Sequence, residues 1–319
     1  MEPVRMTIAF PHGGEETLEN PLSVSLVSTL ESPAQSLAAS FPLGRGGAPE
    51  AAVTAMVYLG ERRVFAGWCD QQTAREDQGG RVLSLQARSR GGFLLDNEAL
   101  PRTYYSVTCR EIFRSHLAPY GFAELAIPRD LTAGIFTVPK GKSEWEVFCD
   151  FCMRMYARLP MVTPGERVVV EERPKSPGAR ITNRSGEEGL RYLRAEEICR
   201  RASVVSEVLL RDKKGNYSRA LGNPFGNPWQ VRRRRYVIPA AEYATAPAAD
   251  GYQRFREAQR GARTAEAVLP GWAELWAGDC VALETGLGTG GSWTVWRRKW
   301  DLGEGGAYTT LTLTRPELS

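Results

Sequence analysis

Hydrophobic and polar positions alternate along the first part of the chain. Val4, Met6, Ile8 and Phe10 are separated by polar or small neighbours, and Val24 and Leu26 continue the alternation toward Leu30. A period of two puts every second side chain on one face, so these runs predict half-buried β-strands. Pro11, Gly13 and Gly14 close the first run. Over residues 34–49 Ala, Ser, Gly and Pro dominate, with Gly44, Gly46 and Gly47 close together, and this predicts a surface loop. Residues 52–68 read as a hairpin, with Val53, Ala55, Val57 and Leu59 on one strand, Gly60, Glu61 and Arg62 as the turn, and Val64 and Phe65 leading out. A second hairpin over 69–87 turns at Gly79 and Gly80, a pair that accepts the positive φ of tight turns. Short strands with frequent turns suit a small antiparallel barrel over residues 1–92.

The period changes after Gly91 and Gly92. Thr108 with Glu111 three residues later is a capping-box pattern opening a helix that carries Ile112, Phe113, His116 and Leu117 and ends before Pro119. Ser143 with Glu146 opens a second helix, whose apolar positions Trp145, Phe148, Cys149, Cys152, Tyr156 and Leu159 form one face until Pro160. A strand is expected over 167–172, completing an α+β module over 93–174. Pro174, Pro177 and Gly178 then link to a third unit, 175–319, which carries an inserted loop and helix segment at about 222–270. There, 204–210 and 217–221 read as strands turned at Lys213 to Asn216, 252–266 as a helix, and 272–275, 279–284, 292–298 and 307–314 as strands. These closing strands repeat the style of the first unit. The expected fold is α+β, mostly β: two small antiparallel β-barrel (tube-type) domains flanking an α+β module.

Composition agrees with this reading without sharpening it. The 319 residues suffice for two or three cores, and 32 Gly with 20 Pro favour many connections. Net charge is +4 over 41 basic and 37 acidic residues, weak grounds for nucleic acid. No stretch approaches the roughly 20 apolar residues of a membrane helix, and the start lacks a signal-peptide core, so assembly in a bacterial cytoplasm is expected. The six cysteines form no dense framework and are expected to be reduced and mostly buried.

Candidate chemistry is sparse. Cys149 and Cys152 have CxxC spacing, but they sit inside a helix and the sequence has no second such pair; core cysteines are the expectation. The two histidines, His12 and His116, are read as surface or hydrogen-bonded residues. The run Gly286 to Gly291 enters a strand rather than a helix, so it reads as a hairpin loop. Asp96, Glu98 and Glu111 raise the alternative of a carboxylate pair for glycoside hydrolysis. Arg232, Arg233, Arg234 and Arg235, between Trp229 and Tyr236, admit two readings: a phosphate-binding strip, or, favoured, a charged subunit seam meeting partner carboxylates. No catalytic residue, cofactor or metal site is assigned.

Several segments resemble the tail-hub, or baseplate-hub, proteins (late control gene D-like) of contractile-tailed phages, defective prophages and phage-tail-like bacteriocins. They are Val64-Phe65-Ala66-Gly67 with Asp70, Ala87-Arg88-Ser89, and above all Leu94-Leu95-Asp96-Asn97-Glu98-Ala99-Leu100-Pro101. Further segments are Ile112-Phe113 with Pro119-Tyr120-Gly121-Phe122, the helix start at Lys142 to Val147, residues 275–281, Trp293-Thr294-Val295 and Tyr308 to Leu313. The resemblance implies a non-enzymatic homotrimer whose two barrels per subunit alternate around a pseudo-sixfold ring, joining a sixfold tail tube to a threefold spike. The implied partners are further copies of the chain, the central spike, the tube or its initiator ring, baseplate wedge and LysM-type components, and the tape-measure protein. On this reading Asp96, Asn97 and Glu98 form a domain junction. The alternatives are a tail-associated cell-wall hydrolase and, third, a nucleic-acid-binding protein.

Overall fold

A computed structural model describes residues 2–44, 46–171, 174–239, 248–287 and 290–316. The first unit contains β1 (Val4–Ala9), β2 (Glu15–Glu19), β3 (Ser23–Thr29), β4 (Ser36–Pro42), β5 (Thr54–Leu59), β6 (Arg62–Asp77) and β7 (Gly80–Arg88). Period-two burial holds: Met6, Ile8, Val24, Leu26, Ala55, Val57, Leu83 and Leu85 turn inward to a common core. The loop expected over 34–49 is instead a strand through Pro42. Leu37, Ala39 and Phe41 are buried while Ser36 and Ala38 are exposed and Ser40 is half-buried, an alternation muted by the small residues Ala38 and Ala39.

The middle of the chain contributes α1 (Gly92–Asp96), β8 (Arg102–Thr108), α2 (Cys109–His116), β9 (Leu125–Ala126), β10 (Thr132–Val138), α3 (Glu144–Tyr156), β11 (Met161–Val162) and β12 (Val168–Val169). Both expected capping boxes form: the Thr108 and Ser143 hydroxyls accept from the Glu111 and Glu146 amides, and each glutamate accepts from its cap residue's amide. Helix α3 packs Trp145, Phe148, Phe151 and Cys152 against Ile112, Phe113 and Phe136 in a separate core. It stops at Tyr156, short of Leu159, where Ala157 adopts a left-handed conformation (φ 52°).

Then follow β13 (Ala179–Thr182), β14 (Arg194–Cys199), β15 (Glu207–Leu210), β16 (Arg219–Gly222), β17 (Arg234–Val237), α4 (Ala248–Ala262), β18 (Arg263–Pro270), β19 (Cys280–Glu284), β20 (Gly291–Gly303) and β21 (Gly306–Thr314). Two expectations change here. The helix expected over 252–266 ends at Ala262, because Ala265 and Ala267 alternate with Thr264 and Glu266 and pair in β18. Residues 272–275 belong to no strand; this segment crosses the sheet between β18 and β19.

The two β units are not closed barrels among the described residues. They join into one 13-stranded sheet in the order β14-β18-β21-β20-β3-β4-β7-β6-β5-β1-β2, with β19 and β13 branching from β20. The join is the antiparallel pairing of β3 with β20, from Arg297 opposite Thr29 to Leu302 opposite Val24. Trp300 and Ala307 thereby enter the core of the first unit.

The two halves repeat one topology. Strands β3, β4, β5, β6 and β7 pair as β14, β18, β19, β20 and β21 do. Residues 54–88 and 280–314 correspond in register without a gap. Thr54 faces Trp68 as Cys280 faces Thr294, Asp77 faces Gly80 as Gly303 faces Gly306, and each long strand bulges at the same place, Asp70 or Trp296. Identical residues at corresponding positions are few: Gly60 and Gly286, Gly79 and Gly305, Gly80 and Gly306, and Leu85 and Leu311. Corresponding side chains also anchor the segment that crosses each half. Gln72 binds the backbone of Glu50 and Ala52, and Arg298 donates to the Ala273 carbonyl. The halves differ at β13, which runs parallel to β19 whereas β1 runs antiparallel to β5, and in the segment 200–262 inserted between β14 and β18.

Replacing Ser143 with Ala removes the α3 cap and should lower unfolding free energy by about 1 kcal/mol, measured by denaturant titration. An unchanged midpoint would show that the cap contributes nothing.

Candidate functional site

Arg88, the last residue of β7, binds two carboxylates with one guanidinium. Nε and Nη2 donate to Asp70 (2.7 and 2.8 Å), and Nη1 and Nη2 donate to Asp96 (2.9 and 2.6 Å). Such forked, charge-assisted bonds fix geometry as well as adding energy. Asp70 is the β6 bulge and Asp96 ends α1, so the clamp ties the first sheet to the start of the middle module. Hydrogen bonding from Arg88 holds the Asp96 carboxyl below its usual range. The next two residues continue the connection: Asn97 accepts the Glu144 amide on its carbonyl (3.0 Å), and Glu98 accepts the Gly141 amide (2.9 Å). Gly91 permits the close approach on the other side, where an added Cβ would strike the Pro33 carbonyl.

These bonds bear on the residues considered for hydrolysis. Asp96 is held by Arg88, Glu98 by a backbone amide, and Glu111 by the α2 cap. His116, 4% exposed, bonds the Tyr104 hydroxyl (2.9 Å) and Glu144 (2.5 Å), while His12 is exposed near Glu50. Cys149 and Cys152 lie on α3, and burial pushes both thiols up, opposite to a reactive cysteine. Among the described residues no group of three or more His, Cys, Asp or Glu is placed to hold a metal ion. Of the Gly286 to Gly291 run, residues 288 and 289 lie outside the described residues.

A cleft of about 500 Å³ opens between the first unit, the 162–166 turn and the crossing segment, lined by Arg62, Trp68, Arg90, Glu166, Trp272 and Glu274 among others. Two ion pairs line it: Arg62 with Glu274, and Arg90 with Glu166 at 2.9 Å. Beside it Arg298, 2% exposed, stacks on Trp272 and Trp276, with Cζ 3.9 and 4.6 Å from the ring centres. Burial, with Arg62 adding repulsion, lowers its pKa to about 10. Sequence reading missed this residue, although an arginine between tryptophans in a strand pattern was visible.

The structure separates the four arginines. Arg233 caps the Ala202 and Val204 carbonyls, Arg234 pairs with Glu207 at 2.6 Å, and Arg235 bonds the Arg234 carbonyl. Arg232, Arg234 and Arg235 are exposed, and only the last two lie in β17. Together with β15, β16 and α4 they form a small body around Val208, Leu210 and Phe255.

Along the main path of the large sheet, three strand edges stand open among the described residues. Strand β5 covers β6 only to Trp68, so residues 71–77 pair with β7 alone. Strand β14 pairs with β18 alone, and β2 with β1 alone. Strand β2 is short and carries exposed Glu15, Glu16 and Glu19, features that blunt an edge against pairing.

No protein-family model matches the chain, and no curated protein matches it in sequence. Its fold is that of phage tail proteins. A tail protein from Neisseria meningitidis MC58 shares it at TM-score 0.75 and 17% identity, over 98% of this chain and 96% of that one. The 43 kDa tail protein of prophage MuSo2 from Shewanella oneidensis aligns at TM-score 0.78 and 14% identity, over 100% and 98%. A third similar structure is an E. coli component of the type VI secretion system with structural similarity to T4 tail proteins gp27 and gp5 (TM-score 0.56, 8% identity, over 92% and 73%). The tail-protein resemblance read from the sequence therefore holds at the level of fold.

The Arg88 clamp predicts a pH dependence. Because Asp96 is depressed in the folded state, its contribution is present above the ordinary carboxylate pKa near 4 and is lost as pH falls through the lower folded value. Asp96→Asn should flatten the decline of melting temperature on acidification; a slope equal to the parent's would remove Asp96 from the account.

Proposed function

We propose that the chain is the non-enzymatic structural hub of a contractile phage tail or tail-like particle, a homotrimer adapting a sixfold tube to a threefold spike. The observation that carries this reading is the repeat of one strand topology in two halves of a single chain. A homomeric ring of three such chains presents six near-equivalent positions on one face and only three copies of every non-repeated feature on the other. The chain's full-length likeness to tail proteins supports a tail role. On this reading the units are 1–92 and 175–319 in the ring, with 93–174 outside it.

Within that assembly Asp96, Asn97 and Glu98, gripped by Arg88 and the α3 start, set the angle between ring and outer module. The module offers outer baseplate components a two-stranded ribbon, β8 with β10, whose opposed Tyr105 and Ile135 are 75% and 54% exposed. In the segment inserted after β14, Arg232 and Arg235 point outward as contacts for partner carboxylates.

Two measurements test the proposal. Mass measurement of purified particles should find three copies per particle; two or six would refute the adapter. Tyr105→Ser with Ile135→Ser should leave that copy number intact while depleting outer components at least tenfold, and full retention would place their docking elsewhere.

A further inference from the structure

The repeat assigns a partner strand to an open edge. Inside the chain, β3 closes against β20 in a defined register. The positions corresponding to β20 are on β6 and those corresponding to β3 are on β14, and both of these strands have an unpaired side, at residues 71–77 and 194–199. Among the described residues no main-chain hydrogen bond reaches either outer edge. Alternation along the antiparallel sheet path makes β6 and β14 run in opposite directions, so they meet as an antiparallel pair.

We propose that β6 of one copy pairs with β14 of the next in the register that β20 uses on β3, an inference that rests on the ring reading above. Correspondence fixes the residues. Leu302 faces Val24; Leu302 corresponds to Glu76 through the two hairpins, and Val24 corresponds to Ala195 through β4 and β18. Glu76 therefore faces Ala195, Arg75 faces Glu196, and Thr73 faces Ile198; one position further along, Asp77 reaches Arg194.

Charge supports this register independently of topology. Arg75 and Asp77 pair along β6 at 3.0 Å, and Arg194 and Glu196 pair along β14 at 3.3 Å, each set on one face of its strand. In the inferred register the two pairs oppose each other with signs reversed, and Arg194 also binds Glu266 of the adjoining β18 at 2.8 Å. A slip of two residues one way sets Arg75 against Arg194, and the other way sets Asp77 against Glu196. Like charges directly opposite destabilise a strand pair, so both slips are disfavoured. The seam also differs from its internal counterpart in kind: where Trp300 and Leu26 are buried, it has Ala74 and Glu197. A more polar seam suits contacts made during assembly rather than during folding of one chain.

Cysteine cross-linking in assembled particles tests the register. In a Cys199→Ser background, Thr73→Cys with Ile198→Cys should give covalent dimers and closed trimers on mild oxidation, at least about tenfold above the slipped pairs Thr73→Cys with Glu196→Cys and Thr73→Cys with Arg200→Cys, since opposed residues lie within disulfide reach. Separately, Arg75→Glu should weaken assembly about tenfold and Glu196→Arg should restore it. Three copies per particle with equal or stronger linking at a slipped pair, or with no linking at any pair, overturns the register and leaves the ring standing. A copy number other than three overturns the ring itself.

Discussion

A β-strand has hydrogen-bonding groups on both sides, and an edge left unpaired is a standing invitation to another strand. The pairing of β3 with β20 answers that constraint once within the chain, and much else depends on it. It merges two units into one sheet, carries Trp300 into the first core, and holds two copies of the same topology in a fixed relation. Without it the halves would be separate domains, with the facing edges of β3 and β20 exposed as well.

The additional elements hang on this duplicated sheet at points where the repeat is interrupted. Residues 92–174 leave after β7, tethered by the Arg88 clamp, and 200–262 leave between β14 and β18, where the first half has only a short turn. Each carries its own small core, so neither disturbs sheet register. Where the crossing segments pass over the sheet, Gln72 and Arg298 hold them from corresponding positions by different chemistry: amide hydrogen bonds in one half, a tryptophan-stacked guanidinium in the other. The backbone relation holds although almost no side-chain identity is shared.

That divergence explains what sequence could and could not show. Helix starts were legible because Thr108 with Glu111 and Ser143 with Glu146 are local chemistry. Strands β1, β3, β5 and β7 were legible because large apolar residues alternate with polar ones. Strand β4 and the start of β18 were not, since small residues, Ala38 and Ala39 in one and Ala265 and Ala267 in the other, mute the hydropathy contrast. The similarity in style between first and last units was visible, but their residue-for-residue correspondence emerged only from pairing registers. Among the site residues, the acidic segment at Asp96 stood out, whereas its Arg88 partner, the separate engagements of the four arginines and the burial of Arg298 depend on contacts distant in sequence.

In the proposed ring, an unfilled edge in one copy is the counterpart of a filled one inside it. A reconstruction of the particle's central ring by electron cryomicroscopy tests it most directly. Six similar strand seams are expected, three within chains between β3 and β20 and three between chains joining β14 to residues 71–77 of β6. A ring in which β14 and the distal part of β6 both face solvent, with chains joined through other surfaces, would contradict it.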